Sequence, residues 1–252
     1  MDGVAERQVR LTKGAAMPAQ KVSITVDRQA RSIKPGAVRG QDIINLANLG
    51  HNEQLLLEVA GDVDIPLSPE DVIFIRGGEQ FSIGDGTPVV ADNPRVRKPL
   101  KLVLNDTQLP EGQESHHAKL TGAELKALVG GGDVDLWADL DGIADEIVAD
   151  TDRVVLQVQD RFFTVPREED RFYEVTVILD GEDRLRRFPA MMTVREAIRR
   201  SLSPADRPKV DEFDMVDGDV GTAALNASST LKAAGVRDGH VLSITKKNGG
   251  GG

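Results

Sequence analysis

Cysteine is missing from the 252-residue chain. Its absence removes disulfides, thiolate metal sites, a cysteine nucleophile and any thioester formed on the chain itself. Large aromatics are scarce too, with one Trp, one Tyr and seven Phe. Cores built almost wholly from aliphatic side chains suit several small bodies better than one large one. No apolar run approaches the length of a membrane span, and Met1 to Arg10 is charged where a secretion signal needs an apolar centre. The expectation is a cytoplasmic protein with no membrane partner. A net charge of −10 repels phosphate backbones, so no nucleic acid is expected as a partner either. Arg184, Arg186 and Arg187 read as a solvated basic face.

What the chain does contain is a repeat. Gly40 and Gly122, Val72 and Val154, and Phe81 and Phe163 all stand 82 positions apart. A common offset with similar surroundings points to duplicated units. In the first unit Val22, Ile24 and Val26 alternate with polar residues, and Ile33 follows a short turn. A helix with Ile43, Leu46 and Ala47 on one face comes next, then strands around Leu55–Val59, Val72–Ile75 and Phe81–Ile83. The second unit repeats this order from Leu100 to Val165. A third opens with Tyr173, Val175, Val177 and Leu179 running into an Asp180-Gly181 turn, a strong hairpin signal. Thr193-Val194-Arg195-Glu196 has capping-box spacing, with Glu196 expected to reach back to the helix start. Leu231 to Val236 reads as a helical turn closed by glycine, and Val241 to Thr245 as the last strand.

One helix against a four- or five-stranded sheet gives a core of roughly 70–80 residues. The expected class is therefore α+β, with three tandem β-grasp domains. The boundaries are an arm at 1–19, domains at 20–84, 99–167 and 168–247, a linker at 85–98, and a polyglycine tail at 248–252.

Asp238-Gly239-His240-Val241-Leu242-Ser243-Ile244, preceded by Thr230-Leu231 and Ala234-Gly235-Val236, resembles the closing segment of ubiquitin-like folds. With the units before it, the chain resembles the multiubiquitin proteins of bacteria over about residues 20 to 252. The resemblance implies a ubiquitin-like protein modifier, not an enzyme. It implies as partners a ubiquitin-activating-type adenylating enzyme, a conjugating enzyme, a JAB-type metallopeptidase and target proteins, with a role in antiphage defence. One departure stands out: Leu242 and Ile244 are expected to point inward, leaving Ser243 and Thr245 where ubiquitin shows apolar residues.

The chain ends Lys246-Lys247-Asn248-Gly249-Gly250-Gly251-Gly252. A terminal glycine carboxylate is unhindered, and a run without Cβ atoms threads narrow channels. Gly249, Gly250, Gly251 and Gly252 form the expected conjugation tail, and Lys246 and Lys247 a root that docks an acidic enzyme surface. The plainer readings are a frayed end and two solubilising lysines. Self-assembly through strand edges is the alternative function, giving a homo-oligomer, with Val9-Arg10-Leu11 as the added strand. A sulfur carrier is a third reading, but carriers of that kind are single small domains.

Other clusters fail as catalysts, so no catalytic residue, metal or cofactor is expected. His116-His117 lacks further ligands at a useful spacing. Asp133, Asp135, Asp139 and Asp141 lack a calcium-loop pattern and read as an exposed strand face. Gly130-Gly131-Gly132 follows a helix and reads as its stop.

Overall fold

The computed structural model describes residues 21–50, 52–87, 98, 100–108, 117–140, 143–158, 160–167 and 172–247. The protein is mixed α+β, with short helices and four mixed sheets.

The first segment contains β1 (Val22–Val26), β2 (Gln29–Ile33), β3 (Gly36–Arg39), α1 (Gly40–Ala47), β4 (Gln54–Leu57), β5 (Ile65–Pro66), β6 (Asp71–Ile75) and β7 (Gln80–Gly84). The second contains β8 (Val103–Leu104), β9 (Thr107–Gln108), β10 (Lys119–Thr121), α2 (Gly122–Ala127), β11 (Val134–Ala138), β12 (Glu146–Val148), β13 (Arg153–Val155) and β14 (Arg161–Pro166). The third contains β15 (Phe172–Leu179), β16 (Glu182–Pro189), α3 (Val194–Ser201), a 3-10 helix at Arg207–Glu212, β17 (Phe213–Asp217) and β18 (Val241–Lys246).

Each segment forms a sheet with the same logic. Sheet order is β2-β1-β7-β4-β5 in the first and β9-β8-β14-β11-β12 in the second, and β16-β15-β18-β17 in the third. In all three, the opening hairpin is antiparallel and the closing strand runs parallel to the first. The Asp180-Gly181 hairpin forms as expected, with φ of 54° and 80° at its two turn residues, the geometry that matches strand twist.

Helix ends follow local chemistry. Thr121 caps α2 and Glu124 returns the bond, a complete capping box. Thr193 accepts from the Glu196 amide as expected, but the Glu196 carboxylate does not reach back to Thr193. It pairs instead with Arg199 and Arg200, because charged partners on its own helix outbid a neutral amide. Gly130 stops α2: its amide bonds to Ala127 and that of Gly131 to Lys126, at a Gly130 φ of +92°. Gly40 and Gly122 occupy the first helical position, where an added Cβ lies 2.1 Å from the carbonyl oxygens of Ser68 and Ala149. That close approach is why both units carry glycine there.

Two features lay beyond the sequence reading. β3 and β10 are additional strands, and together with β6 and β13 they build a fourth sheet in the order β10-β13-β6-β3. Its central pair joins the first segment to the second: β6 runs parallel to β13, with Asp71 beside Arg153 and Val72 beside Val154. Alternate side chains of β6 therefore serve two cores. Ile73 and Ile75 lie in the first with Ile24, Leu55 and Phe81, whereas Val72 and Phe74 lie in the second with Leu102, Leu136 and Phe162. Val155 of β13 crosses the other way, into the first core. All five residues of β6 are buried as a result. Salt bridges reinforce the seam from both sides, Lys119 to Asp71 at 2.5 Å and Arg39 to Asp152 at 2.8 Å.

The offset of the repeat also needs correction. It is 82 at the helix starts but 81 in the strands that follow. Val59 and Leu140 donate to Asp64 and Asp145 in the same way, and Phe81 and Phe162 hold the same ladder position. Side chains in a strand alternate faces, so a slip of one residue exchanges them. Phe163 accordingly leaves the second core and joins the third with Trp137.

Candidate functional site

Two places gather functional chemistry: the root of the C-terminal tail, and the junction of the second and third sheets. At the root, β18 fills the centre of its sheet, parallel to β15 and antiparallel to β17. Leu242 and Ile244 are buried, while Thr245 is exposed and Ser243 half-buried, as the alternation predicts. The turn before it is clipped by Asp238 Oδ1, which accepts from the Glu174 amide at 2.7 Å. His240 Nδ1 lies 2.7 Å from Asp217 Oδ2, and Asp219 accepts from the Val241 amide at 3.0 Å. Asp217, Asp219 and His240 place one ligand atom each within 4.8 Å of one another. These side chains are already engaged in fastening the closing loop to its strand.

The last described residue, Lys247, donates its backbone amide to Glu212 at 2.7 Å. Lys246 Nζ is 3.1 Å from Glu212, and Lys247 Nζ is 3.6 Å from Asp214 and 2.9 Å from the Asp211 carbonyl. Both lysines are exposed, yet each charge already has an acidic neighbour within the chain. Asp211 sits below the usual carboxylate range because Arg195 donates to it. The root is therefore of mixed sign. The tail Gly249–Gly252, the arm, His116 and Asp141 lie outside the described residues.

Among protein-family models and curated proteins, nothing matches this chain.

The second place was misread from sequence. Asp135 and Asp139 are buried, not an exposed face. Arg186 is also buried, not part of a solvated basic face. Arg200 and Arg207 of the third segment cover Asp139, whereas Asp135 pairs with Arg167 at 3.2 Å. Trp137 stacks on Phe163 with ring centres 6.2 Å apart and meets Phe172 edge-on at 6.0 Å. The Arg200 guanidinium lies 3.5 Å above the Phe163 ring. Around this apolar centre sits an ionic cluster. Asp139 Oδ2 lies 3.1 Å from Arg200, 3.2 Å from Arg161 and 3.7 Å from Arg207. Arg199 reaches Asp106 at 2.6 Å, and Arg187 reaches Glu146 at 2.9 Å. Arg186 donates to the Ile143 carbonyl.

Asp145 accepts from the Leu140 amide at 3.1 Å, and its other oxygen is buried with no hydrogen-bond partner among the described residues. Burial pushes this carboxyl up to about 7, with Asp139 adding repulsion while Arg200 and Arg186 pull the other way. Burial also lowers the affinity of Arg186 for its proton. The sequence did carry a signal for the loop that holds these acids, though not for their burial: Asp139 and Asp145 have the same six-residue spacing as Glu58 and Asp64.

Proposed function

We propose that the chain is a ubiquitin-like modifier, made of three β-grasp units and used by partner enzymes through its C-terminal glycine. The observation that carries this reading is the path of β18. It occupies the centre of the last sheet, parallel to the first strand, and ends at an exposed rim just before a glycine run. The common strand order of the three sheets, each with one helix, supports the β-grasp assignment.

In this reading the chain is no enzyme. Its terminal carboxylate oxygen attacks the α-phosphate of ATP on an adenylating enzyme and pyrophosphate leaves. A thiol of the partner enzymes then displaces AMP, and a target amine displaces the thiol to form an amide. A JAB-type metallopeptidase reverses the attachment by hydrolysis. The setting is the bacterial cytoplasm, and antiphage defence the role. The lysines at the root, already offset by Glu212 and Asp214, would dock an enzyme through a mixed-charge surface.

The test is reconstitution with the cognate activating and conjugating enzymes and ATP. A heavier adduct should appear on denaturing gels and vanish when Gly249–Gly252 is deleted. Absence of any adduct, or an equal yield from the deleted form, would refute the proposal.

One observation favours the second reading, self-assembly through strand edges. β2 ends its sheet, and four of its five residues are exposed. Light scattering separates the two: a monomer at high concentration removes self-assembly and leaves conjugation standing.

A further inference from the structure

The duplication supplies an internal comparison. In the second segment the Asp139 amide donates to the Arg161 carbonyl at 2.8 Å and the Leu140 amide to Asp145 at 3.1 Å. In the first, the Glu58 amide donates to the Gln80 carbonyl at 2.8 Å and the Val59 amide to Asp64 at 3.1 Å. The two loops are thus closed by the same bonds and present the same pair of acids. Their surroundings differ. Asp139 and Asp145 are buried by Arg186, Arg200 and Arg207 of the third segment. At the first segment the corresponding place is an open cleft of about 490 Å³, lined by Leu57, Glu58, Asp64, Glu79, Leu156 and Val158 among others.

Charge and shape argue for the kind of occupant. Arg161, which helps neutralise Asp139, is replaced at the equivalent position by Gln80. Among the described residues no cation is paired with Glu58 or Asp64. Glu79 has both carboxylate oxygens engaged by the Arg76 and Gly77 amides, whereas Asp64 spends only Oδ1 on the Val59 amide, so Glu58 and the second oxygen of Asp64 are left to meet a ligand. The half-buried Val59 and the exposed Ala60 and Val158 supply an apolar wall beside them. A carboxylate pair against an apolar wall suits a guanidinium better than an ammonium, since the planar group is weakly hydrated and donates in a fork.

We propose that this cleft is a docking site for an arginine-bearing segment of a partner protein, with an apolar residue next to the arginine. The chain itself displays the pattern at its second segment, where Arg186 lies on a strand reading Arg184-Leu185-Arg186-Arg187-Phe188. This inference does not depend on the tail being conjugated.

The experiment is an NMR titration of the full-length, isotope-labelled chain with a capped synthetic peptide of the sequence Asp183–Pro189. Saturable shifts are expected at the amides of Glu58, Val59 and Asp64. Glu58→Gln should weaken binding about three- to fivefold, the scale of one exposed ion pair, and adding Asp64→Asn should abolish it. Both changes keep an acceptor oxygen, so the loop closes as before. Asp42→Asn, an exposed acid on α1, should leave the affinity unchanged. A peptide carrying Arg184→Gln, Arg186→Gln and Arg187→Gln should not bind. The proposal is overturned if shifts map elsewhere, if Glu58→Gln and Asp42→Asn behave alike, or if the glutamine peptide binds equally well.

Discussion

Replacing Asp145 by asparagine tests whether burial dominates the junction between the second and third segments. The carboxyl is pushed from 3.8 up to about 7 because it lies buried, and the cations Arg200 and Arg186 offset only part of that cost. A folded value above the unfolded one means that the folded chain holds a proton which the unfolded chain has lost. Stability from this group is therefore greatest below pH 3.8, declines from there to about 7, and is level above. A rise from 3.8 to about 7 corresponds to about 4 kcal/mol of penalty in the ionised state. The asparagine side chain would keep the oxygen that accepts from Leu140 and remove the charge. Asp145→Asn should thus add about 2–4 kcal/mol of stability near pH ~8 and no more than about 1 kcal/mol near pH ~4.5. The assay is urea unfolding at both pH values, followed by fluorescence. Trp137 is the single tryptophan and is fully buried at this junction, so its emission reports on the structure in question. If Asp145→Asn costs stability at the higher pH, the attraction to the arginines outweighs burial and the argument fails.

Three further outcomes follow from the packing. Asp71→Ala should cost about 3–5 kcal/mol in urea unfolding, because it strands the largely covered side chain of the half-buried Lys119 and leaves the Ser68 amide without its acceptor. Gly122→Ala should destabilise the chain by at least about 1–3 kcal/mol, since its Cβ would lie 2.1 Å from a backbone oxygen. An exposed-helix substitution such as Ala123→Ser should stay within about 0.5 kcal/mol, both variants being read by the same urea unfolding. Arg200→Lys should loosen the junction by about 1–2 kcal/mol, losing the guanidinium stacked on Phe163. Hydrogen exchange at β11 and α3 should rise in that variant while β1 is unchanged.

What could be read from sequence was local. The Asp180-Gly181 turn, the Thr193 cap and the Gly130 stop each depend on residues within one turn of each other. The inward Leu242 and Ile244 needed only the two-residue period of a strand. β3 and β10 escaped notice because each is short and pairs with a strand more than 30 residues away. The run Val72-Ile73-Phe74-Ile75 is apolar throughout, the mark of a strand covered on both faces. Nothing local says that the second cover comes from another segment. Asp139 looked solvated because its cations Arg200 and Arg207 arrive from the third segment. The misplaced offset had the same origin. Phe81 and Phe163 look equivalent by type, but only the ladder shows that Phe162 is the inward partner.

A strand whose alternate side chains belong to different cores makes division costly. Severed from its neighbour, the first segment would bare Val72 and Phe74 together with an unpaired backbone edge. Two severed copies would present each other with the same wound in the same shape. The free fragment should therefore double up along β6, so the join between the first two segments behaves as a dimer whose halves happen to share one polypeptide.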